Sequence, residues 1–402
     1  MTTIAEARPR PARAAWPAAF FVGLAAVLVL VMWQSSTHLS PVEAALETTP
    51  EIDTGREVLT PWLYWDSGFY RRIAEDGYPE RDVVVFEERG ESLVAFFPGY
   101  PALVRAVTGV TGDVGLSAIL ATLGAGLALA LVANRWFSGA VGEEGGRWAT
   151  AALFLFPWSF VIVAAGYSEA LFLLAAMGAF TLVEADRPVA AGIVGAVASA
   201  TRAVGIGVVV GLMVLMLQRR GALSRRGWRP VVDWSRLRRR DAGVLLSAGG
   251  VGAWMVFCWV RYGDPVAFST AQRGWNQGVG VRSLFKLGFL QQLEQNQERD
   301  FVLRLGLQGV VMIAFCLAVP AVWRRFGAGY GTYTAIVLGL PMLGSTNFTS
   351  NGRFVLAAFP VFALVGEHLA AAPVRRAIAT LGASGALLLG VTALWGRGYW
   401  MC

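Results

Sequence analysis

Apolar runs of roughly 18 to 25 residues recur from Ala15 onward, each long enough to cross about 30 Å of hydrocarbon. Short polar stretches rich in arginine separate them. The pattern predicts about ten or eleven crossings, hence an all-α polytopic membrane chain. Ala15–Met32 is the first, and its length and lack of a small-residue cleavage site favour an anchor over a signal peptide. Val114–Val132, Trp148–Gly166, Ala170–Leu182, Ala242–Val260, Phe301–Trp323, Thr332–Gly344, Phe354–Ala371 and Ile378–Leu394 follow. Val189–Leu217 is too long for one span and is interrupted by Thr201 and Arg202, so it is read as two segments meeting at one face. Two prolines and Arg105 break Leu93–Thr111, which predicts a re-entrant or interfacial segment.

Arginines orient these spans. Arg8, Arg10 and Arg13 keep residues 1–14 cytoplasmic, so the loop 35–112 emerges outside. That loop is strongly acidic. Arg219–Asp241 carries nine arginines against two acids, which places the loop 218–241 inside and favours the split of Val189–Leu217. The loop 261–300 then lies outside, and 15–402 form one membrane domain.

Composition agrees, with 55% hydrophobic residues, 15% charged and a mean hydropathy of +0.54. A soluble domain carries about 25% charged residues. The net charge of +7 is a topology signal here, and nucleic acid is not an expected partner. Cys258, Cys316 and Cys402 lie far apart without ligand spacing, and His38 and His368 are the only histidines. No disulfide framework, metal site or cofactor is expected from them.

Candidate chemistry concentrates in Thr60–Pro79, TPWLYWDSGFYRRIAEDGYP. Thr60 and Pro61 predict a helix start and Gly77 with Pro79 its stop. Helical spacing puts Trp62, Asp66 and Tyr70 on one face and Trp65, Phe69 and Ile73 on the next, as in an interfacial helix with its aromatics among headgroups. Two readings fit Asp66: a general base that takes the proton of an attacking hydroxyl, or a cap paired with Arg71 or Arg72. At the interface, with solvated partners, it would add little stability.

WDSGFYRRIAEDGY resembles the WD-x-x-x-Y-x-x-I-A-x-x-GY motif of the PIG-V type mannosyltransferases, bacterial relatives of GPI mannosyltransferase II. AFFPGYPALVR (Ala95–Arg105), GYSEALFL (Gly166–Leu173), SATRAVGI (Ser199–Ile206), YGDPVAFSTAQ (Tyr262–Gln272) and NGRFVLAAFPVFAL (Asn351–Leu364) fit in order. Two positions depart: Gly99 replaces a bulkier residue, and Ala203 stands where proline is usual. The resemblance implies a GT-C type glycosyltransferase fold, a polyprenyl-phosphate sugar as donor and inversion at the sugar carbon. Asp66 matches the catalytic carboxylate.

Intramembrane ionisable groups are functional candidates by default. Arg202 and Arg353 are candidates to clamp the donor phosphate, although Arg353 also fits a topological flank. Glu169 fits sugar hydroxyls or a structural pair with an arginine, and Trp275, with Arg273 and Gln272, fits a sugar face or an interfacial anchor. Trp65, Tyr70, Tyr100 and Tyr167 complete the expected substrate-binding set. The leading expectation is transfer of mannose or a similar hexose to an extracytoplasmic lipid, glycan or protein at a bacterial plasma membrane. A transporter or flippase, or a non-catalytic subunit of an envelope assembly complex, is the alternative. No internal repeat of the transporter kind is evident.

Overall fold

Among the described residues, ten of the twelve principal helices follow the apolar runs, and α2 and α3 occupy the loop between the first two. The structure is a computed structural model that describes residues 11–39, 58–80, 92–226, 229–275, 277–294 and 299–401. Helix α1 (Pro11–His38) is followed by α2 (Asp66–Asp76), α3 (Gly99–Thr111) and the long α4 (Val114–Phe154). Then come α5 (Glu169–Glu184), α6 (Pro188–Thr201), α7 (Ile206–Arg219), α8 (Gly249–Tyr262), α9 (Arg299–Phe326), α10 (Ala328–Gly344), α11 (Phe359–Ala371) and α12 (Val374–Gly396). A two-stranded hairpin, Leu223–Arg226 with Arg229–Val232, precedes α8.

Among the described residues five helical segments are long and apolar enough to cross a membrane, namely α1, α4, α9, α12 and Arg239–Tyr262, in which a 3-10 stretch leads into α8, or six if one bent pair counts as a span. The others are shorter rods packed between them, so the ten or eleven expected crossings are met by length in only about half the cases. Helix α4 contains the expected span Val114–Val132 and the start of the next, Trp148–Gly166, because Val141 and Gly142 leave helical geometry and the chain doubles back. The return is tight enough that a Cβ on Gly146 would come 2.5 Å from the Ser138 nitrogen, and only glycine fits.

Val189–Leu217 divides as its composition predicts. Helices α6 and α7 form a hairpin at Arg202–Gly205, where a Cβ on Gly205 would come within 2.6 Å of Ser199 Cα. This turn sends Arg202 to the end of the rods that also carries Asp66, while Arg219 and Arg220 reach the opposite, basic end. There Arg220 is held by Asp241 at 2.6–2.8 Å and by Asp186 at 2.5 Å, and Arg325 pairs with Glu367. Leu93–Thr111 is broken at its prolines into a short 3-10 turn and the 13-residue α3, which packs beside α2, where Arg105 donates to the Ala74 and Glu75 carbonyls.

Three expectations are corrected. The helix expected to run from Thr60 stops after a 3-10 turn, Thr60–Leu63, and restarts at Asp66. The reason is competition for carbonyls: Trp395 donates to Pro61 O and Gly166 to Trp62 O, the acceptors that an uninterrupted helix would use. Trp62 is accordingly 1% exposed, a core residue and no headgroup anchor. Trp148–Gly166 is helical only to Phe154, since Pro157 removes a donor, and a single turn (Phe160–Val163) follows. Phe354–Ala371 bends by 81° between the 351–357 turns and α11, where Pro360 sits in the first turn.

The apolar core runs the length of the rods around Trp158, Phe160, Tyr167, Phe180, Tyr333 and Trp395, all nearly or fully buried. Residues 40–57 and 81–91, within the expected first outer loop, lie outside the described residues.

Candidate active site

Four charged side chains from four separate segments meet at one end of this core. Asp66 is the first residue of α2 and Glu169 the first of α5, so each carboxylate sits at a helix N-terminus whose dipole favours negative charge. Arg202 follows the last residue of α6 in an extended conformation, and Arg353 lies on the short turn Asn351–Phe354. They form one alternating chain: Arg202 pairs with Glu169, Glu169 Oε1 lies 3.6 Å from Arg353 Nε, and Arg353 Nη2 donates to Asp66 Oδ2. Charges balance within the chain, which favours its burial: Asp66, Glu169 and Arg353 are buried and Arg202 is half-buried.

Neutral groups fix the geometry. The Asp66 N–H donates to Tyr167 Oη at 3.2 Å, the Arg353 guanidinium lies 5.0 Å from the Tyr167 ring centroid, and Arg202 Nη1 donates to Ser168 Oγ at 3.1 Å. Ser168 Oγ in turn shares a hydrogen bond of 2.8 Å with the Tyr70 hydroxyl. Burial pushes Tyr70 up to about 12, so it stays a neutral donor at any physiological pH. Asp66 is 6% exposed, which corrects the expectation of a solvated interfacial carboxylate.

The charged chain borders a cleft of about 260 Å³ lined by Asp66, Tyr70, Arg202 and Arg353. Apolar walls come from Phe96, Phe97, Val204, Leu340, Pro341 and Phe354, and polar rims from Gln272, Gln277, Ser345, Thr349 and Ser350. The rim is clasped by Lys286, which is 7% exposed and donates to Met342 O and, at 2.7 Å, to Ser345 O. Burial draws Lys286 down to about 8. Among the described residues no three His, Cys, Asp or Glu side chains group as a metal site.

The expected residues divide. Asp66, Tyr70, Glu169, Arg202 and Arg353 come together. Tyr100 and Tyr167, expected to touch substrate, are fully buried behind Tyr70, with the Tyr100 hydroxyl engaged by Ala118 O and Thr122 at 2.8 Å; they support the site from beneath. Arg273 is exposed and does not line the cleft, because the turn that carries it directs Gln272 inward, 3.2 Å from Ala95 O. The Trp275 side chain lies outside the described residues. Gly99 has a local cause: a Cβ there would come 2.6 Å from Thr201 Oγ1 and 2.9 Å from Ala200 O, so the bulkier residue of the motif does not fit this backbone. Trp400 and Gln277 line the cleft without having been anticipated.

No family model and no curated protein matches the chain. Among solved structures, it is similar to that titled "Crystal Structure of ArnT from Cupriavidus metallidurans bound to Undecaprenyl phosphate", at 16% identity and a TM-score of 0.49. The match covers 90% of this chain and 62% of that one, so this chain spans less than two thirds of its length. A likeness this distant leaves the chemistry to be argued from the residues themselves.

Proposed function

We propose that this chain is a polyprenyl-phosphate-sugar-dependent glycosyltransferase of the GT-C type. It transfers mannose, or a similar hexose, to an extracytoplasmic lipid, glycan or protein, with the site facing the outside of a bacterial plasma membrane. The observation that carries this reading is the chain Arg202–Glu169–Arg353–Asp66, buried at its last three members and half-buried at Arg202, beside a largely apolar cleft. A lone carboxylate would suit many roles. A carboxylate held by an arginine, with a second arginine close by, suits a reaction in which a hydroxyl loses a proton while a phosphate departs.

In this reading the donor phosphate draws Arg353 and Arg202 toward it and loosens the Arg353–Asp66 pair. The acceptor hydroxyl attacks the anomeric carbon, Asp66 takes its proton, and the carbon–oxygen bond to phosphate breaks with its electron pair on the phosphate. The two guanidiniums stabilise the charge that gathers on that leaving group. Inversion follows from a single displacement. The ordered motif set from Trp62 to Leu364 supports the same class. The placement of the charges at one end of the rods, away from mid-depth, weighs against a transporter.

Arg202→Gln tests the phosphate role. Its KM for a synthetic polyprenyl-phosphate mannose should rise well beyond any change in acceptor KM, and Lys should restore it only in part because an ammonium lacks the planar fork. Unchanged donor kinetics would remove Arg202 from the site.

A further inference from the structure

Trp400 enters the cleft from a segment that follows α12 and folds back over the site. That segment is fastened twice. Arg304 Nη1 donates to Trp400 O at 3.0 Å, and the buried Trp158 indole donates to Met401 O at 2.6 Å. Arg304 also lies 5.1 Å from the Tyr399 ring centroid. The Trp400 side chain therefore has a fixed approach to the cleft, which it lines together with Asp66 and Arg353.

Its packing partner is Trp65, whose ring meets it edge to face at 4.9 Å. Trp65 sits at φ 60°, ψ −124°, a conformation that bulky L-residues avoid and that is held by the carbonyl capture at Pro61 and Trp62. One strained turn thus sets both the carboxylate of Asp66 and the ring against which Trp400 rests. The indole Nε1 atoms of Trp65 and Trp400 are both buried, and neither has a hydrogen-bond partner among the described residues. Buried indole donors are ordinarily satisfied, so an unpaired one on the cleft-lining Trp400, with a second on the Trp65 ring packed against it, calls for an acceptor.

We propose that Trp400 is a sugar-recognition residue: its indole face and N–H receive the pyranose ring and a ring hydroxyl of the donor, and Trp65 positions it. A pyranose offers what this wall lacks, hydroxyl oxygens that accept and C–H faces that stack on an aromatic ring. This assignment rests on the glycosyltransferase reading and names the part of the site that reads the sugar, whereas the arginines read the phosphate.

The test is binding of two synthetic probes, farnesyl phosphate and farnesyl-phosphate mannose, to the full chain in detergent, measured by calorimetry. Trp400→Phe keeps an aromatic face and removes the N–H, so affinity for the mannosylated probe should fall about three- to ten-fold, the worth of one neutral hydrogen bond. Affinity for farnesyl phosphate should stay as in wild type. Trp400→Ala should lose more, again only for the mannosylated probe, and Trp65→Leu should reproduce part of that loss. Equal binding of the mannosylated probe by wild type, Trp400→Phe and Trp400→Ala overturns the assignment. So does an equal loss for both probes, which would make Trp400 structural. If wild type binds neither probe, the polyprenyl-phosphate reading itself fails, a result distinct from the other two.

Discussion

Arg353→Gln removes the guanidinium that stands between two buried carboxylates. Side chains of Arg353 and Asp66 are 8% and 9% exposed, so neither charge is relieved by water once its partner is gone. Breaking a buried pair from one side costs about 3–5 kcal/mol, because the remaining charge stays desolvated. Asp66→Asn is a milder lesion. Arg353 then keeps Glu169 at 3.6 Å and its position over the Tyr167 ring, and the cost is that of a weakened hydrogen bond, about 1–3 kcal/mol. The double variant should be less destabilised than the sum of the singles by about 0.5–3 kcal/mol, since it leaves no orphaned partner in the Asp66–Arg353 pair. Thermal unfolding of the purified proteins in one detergent, at one heating rate, supplies the ranking even if unfolding is irreversible. The expected order of stability is wild type, then Asp66→Asn, then Arg353→Gln. Melting of Arg353→Gln at the wild-type temperature, or strict additivity in the double variant, would refute the buried chain.

Two further outcomes are expected. Lys286 titrates near 8 when folded and near 10.5 when unfolded, so the unfolded chain binds more protons between those values and its contribution to stability should rise with pH across that window; a wild-type and Lys286→Met pair whose melting difference stays flat from pH 8 to 10 contradicts this. Single cysteines at Val279 and Trp234, 88% and 72% exposed at opposite ends of the rods, should give labelling of the first and protection of the second by an impermeant thiol reagent in intact cells lacking Cys402, and the reverse pattern would put the site in the cytoplasm.

The residues that stood out in the sequence did so because charge is costly in apolar surroundings. Arg202 interrupts a 29-residue apolar run, and the excess of arginine in the loop that follows demanded a hairpin there, which α6 and α7 supply. Asp66, Glu169 and Arg353 were legible for the same reason, and their meeting followed from putting them at one end of the rods. The break at Tyr64–Trp65 was not legible. It depends on donors from Gly166 and Trp395, and nothing local in TPWLYWDS announces them. Trp400 was missed because an aromatic residue beyond the end of an apolar span reads as an interfacial anchor, and its entry into the cleft is decided by Arg304 and Trp158. Tyr100 and Tyr167 were placed in the site by their motifs, whereas their hydroxyls are taken by the scaffold itself.

The central claim is that Asp66 is the base of a sugar transfer from polyprenyl phosphate. Purified wild type and Asp66→Asn, at equal amounts and both shown to be folded, are to be compared for transfer of labelled mannose from synthetic polyprenyl-phosphate mannose to a lipid or glycan acceptor. A positioned general base contributes about 10²–10⁴-fold, so turnover should fall by at least that range in Asp66→Asn while donor binding persists. Transfer by Asp66→Asn at near the wild-type rate would contradict the account and turn attention to Glu169.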